Sequence, residues 1–256
     1  MVFPLYDDNS DRRTLPVVNW AFIAINILVF VFLQGMGGND RFTYAFSTVP
    51  QEITTGRDVV TPDRTVVDPG SGQSYLQPGL QVTPIPVFLT LLTAIFMHGG
   101  FMHLAGNMLY LFIFGDNIED RLGHFRYAIF YLLTGLIASL SHVFTNLGSE
   151  IPSLGASGAI SGVLGGYLLL FPKRRVTVFL FRMLTEVPAY VALGLWIAMQ
   201  IGQSYLSGGR DGVAYAAHIG GFIAGLALVK VFAIGRNPPP VDYDSRFGSS
   251  GGYGQQ

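Results

Sequence analysis

Long apolar stretches, separated by shorter polar ones, set the strongest limit on what this chain can fold into. Hydrophobic residues make up 50% of the sequence and charged residues only 12%. An ordinary soluble domain carries about twice that charged fraction. An apolar stretch of about 20 residues is long enough to cross a bilayer as a helix. The composition and the pattern together predict a polytopic membrane protein.

Six stretches fit this prediction, and we expect an all-α fold with six transmembrane helices. The predicted spans are residues 17–34, 101–114, 127–145, 157–171, 188–206 and 213–234. We expect residues 89–98 and 176–186 to lie along the membrane interface, and residues 116–126 to form a charged loop. Between the first two spans, residues 35–86 show no sustained helical period. Residues 59–60 and 65–67 could be short strands, but we expect the loop to be irregular.

The predicted domain organisation follows from these spans. Residues 1–15 form a cytoplasmic segment without the basic start and apolar core of a signal peptide. Residues 16–234 form the membrane domain, in which residues 35–99 are a long extracytoplasmic loop. Residues 235–256 are rich in Pro, Gly and Ser and are expected to be disordered. Basic residues of the short loops fall on one side of this arrangement, which places both termini in the cytoplasm.

Charge and cysteine content narrow the function further. A net charge of -1 gives no reason to expect a nucleic-acid partner. The lipid bilayer is the predicted environment because of the apolar composition. The chain has no cysteine, which excludes disulfides, thiol catalysis and thiolate metal sites. Nothing in the sequence indicates an oligomeric state.

The fourth apolar stretch is unusually short and begins with a serine in a glycine-rich turn, Gly155-Ala156-Ser157-Gly158. Its helix would rise about 22 Å, against a hydrocarbon core of about 30 Å. We therefore expect Ser157 to lie below the membrane surface, where irregular backbone must face protein or a water-filled cavity. A hydroxyl at a helix N-terminus in such a cavity suggests a nucleophile beside an oxyanion site. The alternative is a small-residue surface used only for helix packing.

Other polar residues are predicted to reach the same depth. The second, fourth and sixth spans all run inward, which places His103, Asn107 and His218 near the level of Ser157. Small residues recur every four positions on the fourth and sixth spans and allow close helix packing. They include Gly158, Gly162, Gly221 and Gly225. This packing would bring His218 to Ser157 as a base. Asp211 lies about two turns above His218, so we predict a Ser–His dyad without a carboxylate.

Three motifs together resemble those of the rhomboid family of intramembrane serine proteases: Gly-Ala-Ser157-Gly, Ala-His218-Ile-Gly-Gly and His103-Leu-Ala-Gly-Asn107. The resemblance covers residues 16–234 and implies a six-helix, rhomboid-like bundle in a bacterial inner membrane. It implies that Ser157 is the nucleophile and His218 the general base, and that no cofactor is needed. The implied substrates are membrane proteins, cut in or near a transmembrane segment that enters past the fifth helix.

The resemblance also assigns supporting residues. His103 and Asn107 are implied oxyanion contacts beside the backbone N–H of Ser157. Gly155 and Ala156 are assigned to the same oxyanion or substrate-binding site. His98 is implied to hold the first loop through hydrogen bonds. Gly158, Ser161, Gly221 and Gly225 are expected to support the site by close packing.

Two positions depart from the family pattern. Leu89-Thr90 stands where bacterial members often carry a Trp-Arg pair. Ser161 stands where an aromatic residue often supports the histidine ring. The first departure questions how the loop is anchored in lipid, and the second questions how the ring of His218 is oriented.

Three other functions were weighed against a protease. An inactive relative would bind transmembrane helices without cutting them, but both reacting groups are present. A transporter would need a polar path to the cytoplasm, and the inner halves of the spans are apolar. A metal site made of His98, His103 and His218 would lack a carboxylate ligand. We expect His124 to lie in a loop, and His142 either to pack within the third span or to extend from it toward the interface.

Overall fold

The computed structural model describes residues 3–67, 70, 72–180, 183–207 and 212–236. The predicted disordered tail, apart from residues 235–236, and Asp211 lie outside these residues. The described helices are α1 (Val17–Leu28), α2 (Asp40–Phe46), α3 (Pro50–Thr55), α4 (Thr90–Thr93), α5 (Phe101–Leu122), α6 (His124–Thr145), α7 (Ser157–Leu170), α8 (Ala189–Ser207) and α9 (Tyr215–Phe232). The described strands are β1 (Phe3–Asp7), β2 (Arg64–Val67), β3 (Ser74–Gln77), β4 (Arg175–Leu180) and β5 (Met183–Pro188).

Helix α7 is the centre of the bundle and packs against α5, α6 and α9. Every residue from Gly158 to Tyr167 is buried, because the helix carries small and apolar residues on all sides. Its contact with α9 is close enough to bring backbone against backbone. A Cβ atom at Gly221 or Gly225 would collide with the carbonyl groups of Gly158 and Gly162, respectively. Small residues at these positions therefore determine how near α9 lies to Ser157.

The length and composition of the described helices suggest fewer membrane crossings than the sequence pattern did. Helices α6 and α9 are long and apolar enough to cross a bilayer. Residues 87–96 and α5 meet the same criteria together, with a bend of 78° between them. Helix α7 and residues 17–33 are apolar but shorter, and residues 29–33 continue α1 as a π-helical turn. Two to three spans are supported on these grounds, and the six-span arrangement stays a prediction.

The predicted charged loop at residues 116–126 is wrong, because α5 continues to Leu122 and α6 begins at His124. The acidic residues of this last turn bind the N-terminal part of the chain. The carboxylate of Glu119 accepts the backbone N–H groups of Val18 and Asn19 at 2.9 and 2.7 Å. A carboxylate is well placed at the N-terminus of a helix, where the N–H groups of α1 have no partner within the helix.

The fold is mostly helical but not all-α, which corrects the predicted fold class. Strands β1, β4 and β5 form an antiparallel sheet with β4 in the middle. Most of the described residues expected along the interface, 176–180 and 183–186, belong to the paired strands β4 and β5. Val176 and Val178 are buried, and β-branched residues at alternating positions favour a strand. The N-terminal β1 pairs with β4 with Phe3 opposite Phe179, and the register shifts between Pro4 and Tyr6.

The long first loop is more ordered than predicted. Asn39 caps α2 by accepting the N–H of Phe42, and α3 ends at Gly56, whose φ of 67° suits glycine. Strands β2 and β3 pair in an antiparallel manner, and β2 includes residues 65–67, one of the two stretches that could have been strands. Residues 59–60, the other such stretch, do not form a strand.

Candidate active site

Ser157 is the first residue of α7 and is half-buried. The segment before it is held by two contacts with the first loop. Thr48 and Ser153 exchange backbone hydrogen bonds of 3.0 and 2.8 Å, and the N–H of Gly155 donates to the carbonyl of Ala94 at 2.9 Å. The φ of Gly155 is 127°, a conformation that glycine adopts most readily. These constraints fix the Ser157 hydroxyl at the N-terminal end of α7.

His218 lies on the first turn of α9, and its Nε2 is 2.8 Å from the Oγ of Ser157. The close approach of Gly221 and Gly225 to α7 sets this distance, because both glycines follow His218 along α9. A hydroxyl within hydrogen-bonding distance of an imidazole nitrogen is the arrangement of a nucleophile and its general base.

The other ring nitrogen of His218 has a partner that the sequence did not reveal. Its Nδ1 lies 2.7 Å from the Oε1 of Gln200 on α8. The ring of Trp196, one turn earlier on α8, has its centroid 6.1 Å from that of the imidazole, and the ring of Tyr215 lies edge-on at 6.4 Å. The one sequence signal that could have indicated this contact is a glutamine one turn after a tryptophan in an apolar helix.

An open cavity of about 850 Å³ joins the serine and histidine to the polar groups of α5. His103, Asn107, Ser157, Gln200 and His218 all line it. Within the described residues, neither nitrogen of His218 is hydrogen-bonded to a carboxylate. Asp211, the acid considered from the sequence, lies outside them.

His103 and Asn107 both line this cavity and carry side-chain hydrogen-bond donors. The Nδ1 of His103 accepts the N–H of Gly99 at 3.4 Å, so a neutral ring carries its proton on Nε2. A Cβ atom at Gly155 would lie 2.9 Å from that Nε2, which places the ring beside the turn before Ser157. The side chain of Asn107 is 8% exposed, and its Nδ2 has no hydrogen-bond partner.

The backbone at Gly155 does not offer the free N–H donor that was expected for an oxyanion. The N–H of Gly155 is already bonded to Ala94, so Gly155 is not a free donor. Ala156 is fully buried, and its carbonyl accepts the N–H of Ile160 at 2.9 Å. Ser157 opens the helix, and the first N–H groups of a helix have no acceptor within it. The N–H of Ser157 is therefore the better backbone candidate for an anion.

His98 is buried, and its ring lies edge-on to that of His103 at 5.2 Å. The side chain of Gln34 accepts the N–H of His98 and donates to its carbonyl, both at 2.9 Å. The backbone of His98 is therefore tied to Gln34, and the role expected for its side chain stays a prediction. Among the described residues, no three His, Asp or Glu side chains come together as a metal site.

The two departures from the family pattern have structural consequences. Ser161 donates to the carbonyl of Ser157 at 2.6 Å and does not reach the histidine ring, which rests near Trp196 and Tyr215 instead. Leu89 is 46% exposed, whereas Thr90 is buried and donates to the carbonyl of Val87 at 2.6 Å.

One of the two remaining histidines differs from its prediction. His124 is not in a loop: it opens α6, and its Nδ1 lies 2.5 Å from the carboxylate of Glu119. His142 lies on α6, within the third predicted span, and lines the cavity.

Comparison with known proteins agrees with this geometry. A family model described as "Rhomboid domain" matches residues 87–234, which is more than half of the chain. The Rhomboid protease GluP of Bacillus subtilis is 31% identical over 214 residues, which cover 83% of this chain and 35% of that protein.

Two eukaryotic relatives match a shorter part. RHOMBOID-like protein 5 of Arabidopsis thaliana is 34% identical over 138 residues, covering 54% of this chain and 42% of the relative. Rhomboid protein 1, mitochondrial, of Saccharomyces cerevisiae is 34% identical over 146 residues, covering 54% and 40%. The chain thus spans about two fifths of the length of these relatives. The family match confirms the resemblance drawn from the three motifs, and the chain belongs to the rhomboid family, which is a family of integral membrane proteins.

Proposed function

We propose that this chain is an intramembrane serine endopeptidase that cleaves membrane proteins in or near a transmembrane segment. The observation that carries the proposal is the 2.8 Å contact between Ser157 Oγ and His218 Nε2, within a cavity that also holds free donors. The relative named Rhomboid protease GluP supports the same activity.

The chemistry follows from the positions of these groups. Ser157 Oγ attacks the carbonyl carbon of the scissile peptide while its proton passes to His218 Nε2. The negative charge that forms on the carbonyl oxygen is stabilised by the Nδ2 of Asn107, the Nε2–H of His103 and the N–H of Ser157. His218 then gives the proton to the leaving amine, and an acyl-enzyme remains on Ser157.

The second half of the reaction uses the same residues. A water molecule in the open cavity gives a proton to His218 and attacks the acyl carbon. The proton returns to Ser157 Oγ as the carboxylic acid product leaves. No metal or cofactor is required for this cycle, because a serine, a base and an oxyanion site are sufficient.

The proposal includes the membrane arrangement predicted from the sequence. The spans are the segments containing α1, α5, α6, α7, α8 and α9, with both termini cytoplasmic in a bacterial inner membrane and Ser157 submerged near the outer side. The domain limits are those given above, with residues 16–234 as the membrane unit. Single cysteines at Leu15 and Tyr75, both exposed, should react with impermeant reagents from opposite faces. Labelling of both from one face would exclude this topology.

The activity is tested with the full chain in proteoliposomes and a single-span model substrate. Wild type should cut the substrate, whereas Ser157→Ala and His218→Ala should leave it intact while keeping the wild-type melting temperature. Cleavage by the Ser157→Ala protein would exclude the proposed nucleophile. A folded wild type that binds the substrate but never cuts it would instead support the inactive, helix-binding relative.

A further inference from the structure

The imidazole of His218 is held at both nitrogens. Its Nε2 lies 2.8 Å from Ser157 Oγ, and its Nδ1 lies 2.7 Å from Gln200 Oε1. The three groups come from three different helices, α7, α9 and α8. They form one continuous chain of hydrogen bonds that runs from the hydroxyl through the ring to an amide.

The direction of this chain decides whether His218 acts as a base. A neutral imidazole has one N–H donor and one acceptor nitrogen. To take the proton of Ser157, Nε2 must be the acceptor, so the ring proton must be on Nδ1. That proton needs an acceptor of its own, and Gln200 Oε1 is the atom that faces it. If the amide NH₂ faced Nδ1 instead, Nε2 would carry the proton and could not accept the one from Ser157.

Gln200 also fits its surroundings energetically. An unpaired amide in a membrane helix is costly, so its hydrogen bond to the ring offsets part of its own burial. Trp196, one turn earlier on the same face of α8, packs against the ring and restricts its rotation. An amide acceptor orients the ring without adding a charge inside the membrane, where an unpaired carboxylate would be far more expensive.

We propose that Gln200 is a positioning residue that selects the base-competent tautomer of His218. The inference rests on the proposed serine-protease function and extends the Ser157–His218 pair to a third member. Since Gln200 is on α8, the orientation of the base depends on where α8 lies relative to α9.

Kinetics of the full chain in proteoliposomes test this role with a matched control. Gln200→Met keeps a side chain of similar length but removes the acceptor, and should lower kcat about 10- to 100-fold with little change in KM. Gln200→Glu retains an acceptor oxygen and should recover much of the rate. Gln203→Met, at an exposed glutamine on the same helix, should match wild type. Equal kcat values for Gln200→Met and Gln203→Met would overturn the inference while leaving the proposed function intact.

A spectroscopic measurement separates a positioning role from simple helix packing. In NMR spectra of protein labelled with ¹⁵N-histidine, the ring signal of His218 should be that of the Nδ1–H tautomer. The signal is assigned to His218 by its absence from the spectrum of His218→Ala. Gln200→Met should shift the ring toward a mixture of tautomers, and Gln203→Met should not. An unchanged Nδ1–H tautomer in Gln200→Met would refute the inference, whether or not the protein proves to cleave a substrate. A wild-type protein that neither cuts the substrate nor reacts with a serine-directed fluorophosphonate would count against the proposed function instead.

Discussion

The two ends of the helix bundle treat buried polar groups in opposite ways. At one end, the serine site (His103, Asn107, Ser157, Gln200 and His218) lines an open cavity, and the Nδ2 of Asn107 has no partner. At the other end, the N-terminal network binds nearly every charged group to another part of the chain. This network consists of Asp7, Asn9, Asp11, Arg12, Asp116, Asn117, Tyr167 and Arg174.

The contacts of the N-terminal network are dense and connect distant parts of the sequence. Arg12 and Asp116 form a 2.6 Å ion pair. The buried Arg174 pairs with Asp11 at 2.5 Å and also donates to Asn117. Buried charges that are paired hold elements together, whereas a donor without a protein partner beside a cavity is available to a ligand. The comparison indicates that one end stabilises the fold and that the other is free to carry the proposed chemistry. Variants at the two ends should therefore fail in different ways.

The largest effect on stability is expected from Arg174→Met in the N-terminal network. Removing this side chain leaves the buried Asn117 and the partly exposed Asp11 without their partner. The cost is expected to be at most roughly 3–5 kcal/mol, the value for a fully buried pair. Thermal unfolding in detergent should show a strongly lowered melting temperature. Arg175→Met is the control, because that residue is exposed, and it should unfold like wild type. Equal melting temperatures for the two variants would mean that the network does not stabilise the fold.

A smaller effect, on the reaction rate rather than on stability, is expected from Asn107→Ala in the serine site. Loss of one oxyanion donor typically lowers kcat by about 100- to 1,000-fold, or roughly 2.7–4 kcal/mol. The melting temperature should change little, because the Nδ2 of Asn107 has no protein partner to lose. Steady-state cleavage and thermal unfolding of the same sample measure both quantities. An unstable variant with normal kcat would show that Asn107 belongs to the packing and not to the chemistry.

The smallest expected effect is a pH dependence of stability from Asp7. Burial raises the pKa of this carboxyl from 3.8 to about 7. Between these values the folded chain holds the proton and the unfolded chain does not, so stability falls as pH rises from about 4 to 7. Asp7→Asn mimics the protonated form and should remove this contribution, giving a melting temperature a few degrees above wild type at pH 8 and a smaller difference at pH 5. A wild-type curve with the opposite slope, unchanged in Asp7→Asn, would contradict this assignment.

Much of the fold could be predicted because helix-forming apolar stretches are a local signal. Helices α6, α8 and α9 lie close to the predicted spans. The N-terminal sheet could not be foreseen, since it pairs residues 3–7 with residues 175–180 far along the chain. The same holds for Glu119, whose carboxylate looked like a loop residue until its contacts with α1 were seen.

The candidate site divides in the same manner. Ser157 and His218 could be paired in advance because small residues repeat on both of their helices. Gln200 could not, because its role depends on the rotation of α8 relative to α9 and on a contact between residues 18 positions apart. Gly155 was expected to help bind an anion, but its N–H proved to be occupied by Ala94.

The central claim, that His218 activates Ser157 as a nucleophile, is tested most directly by covalent labelling. A fluorophosphonate should modify the full chain in detergent, and mass spectrometry should locate the adduct on Ser157. Labelling should be absent in Ser157→Ala and much slower in His218→Ala, because the hydroxyl then lacks its base. An adduct on another residue, or equal labelling rates in wild type and His218→Ala, would contradict the claim.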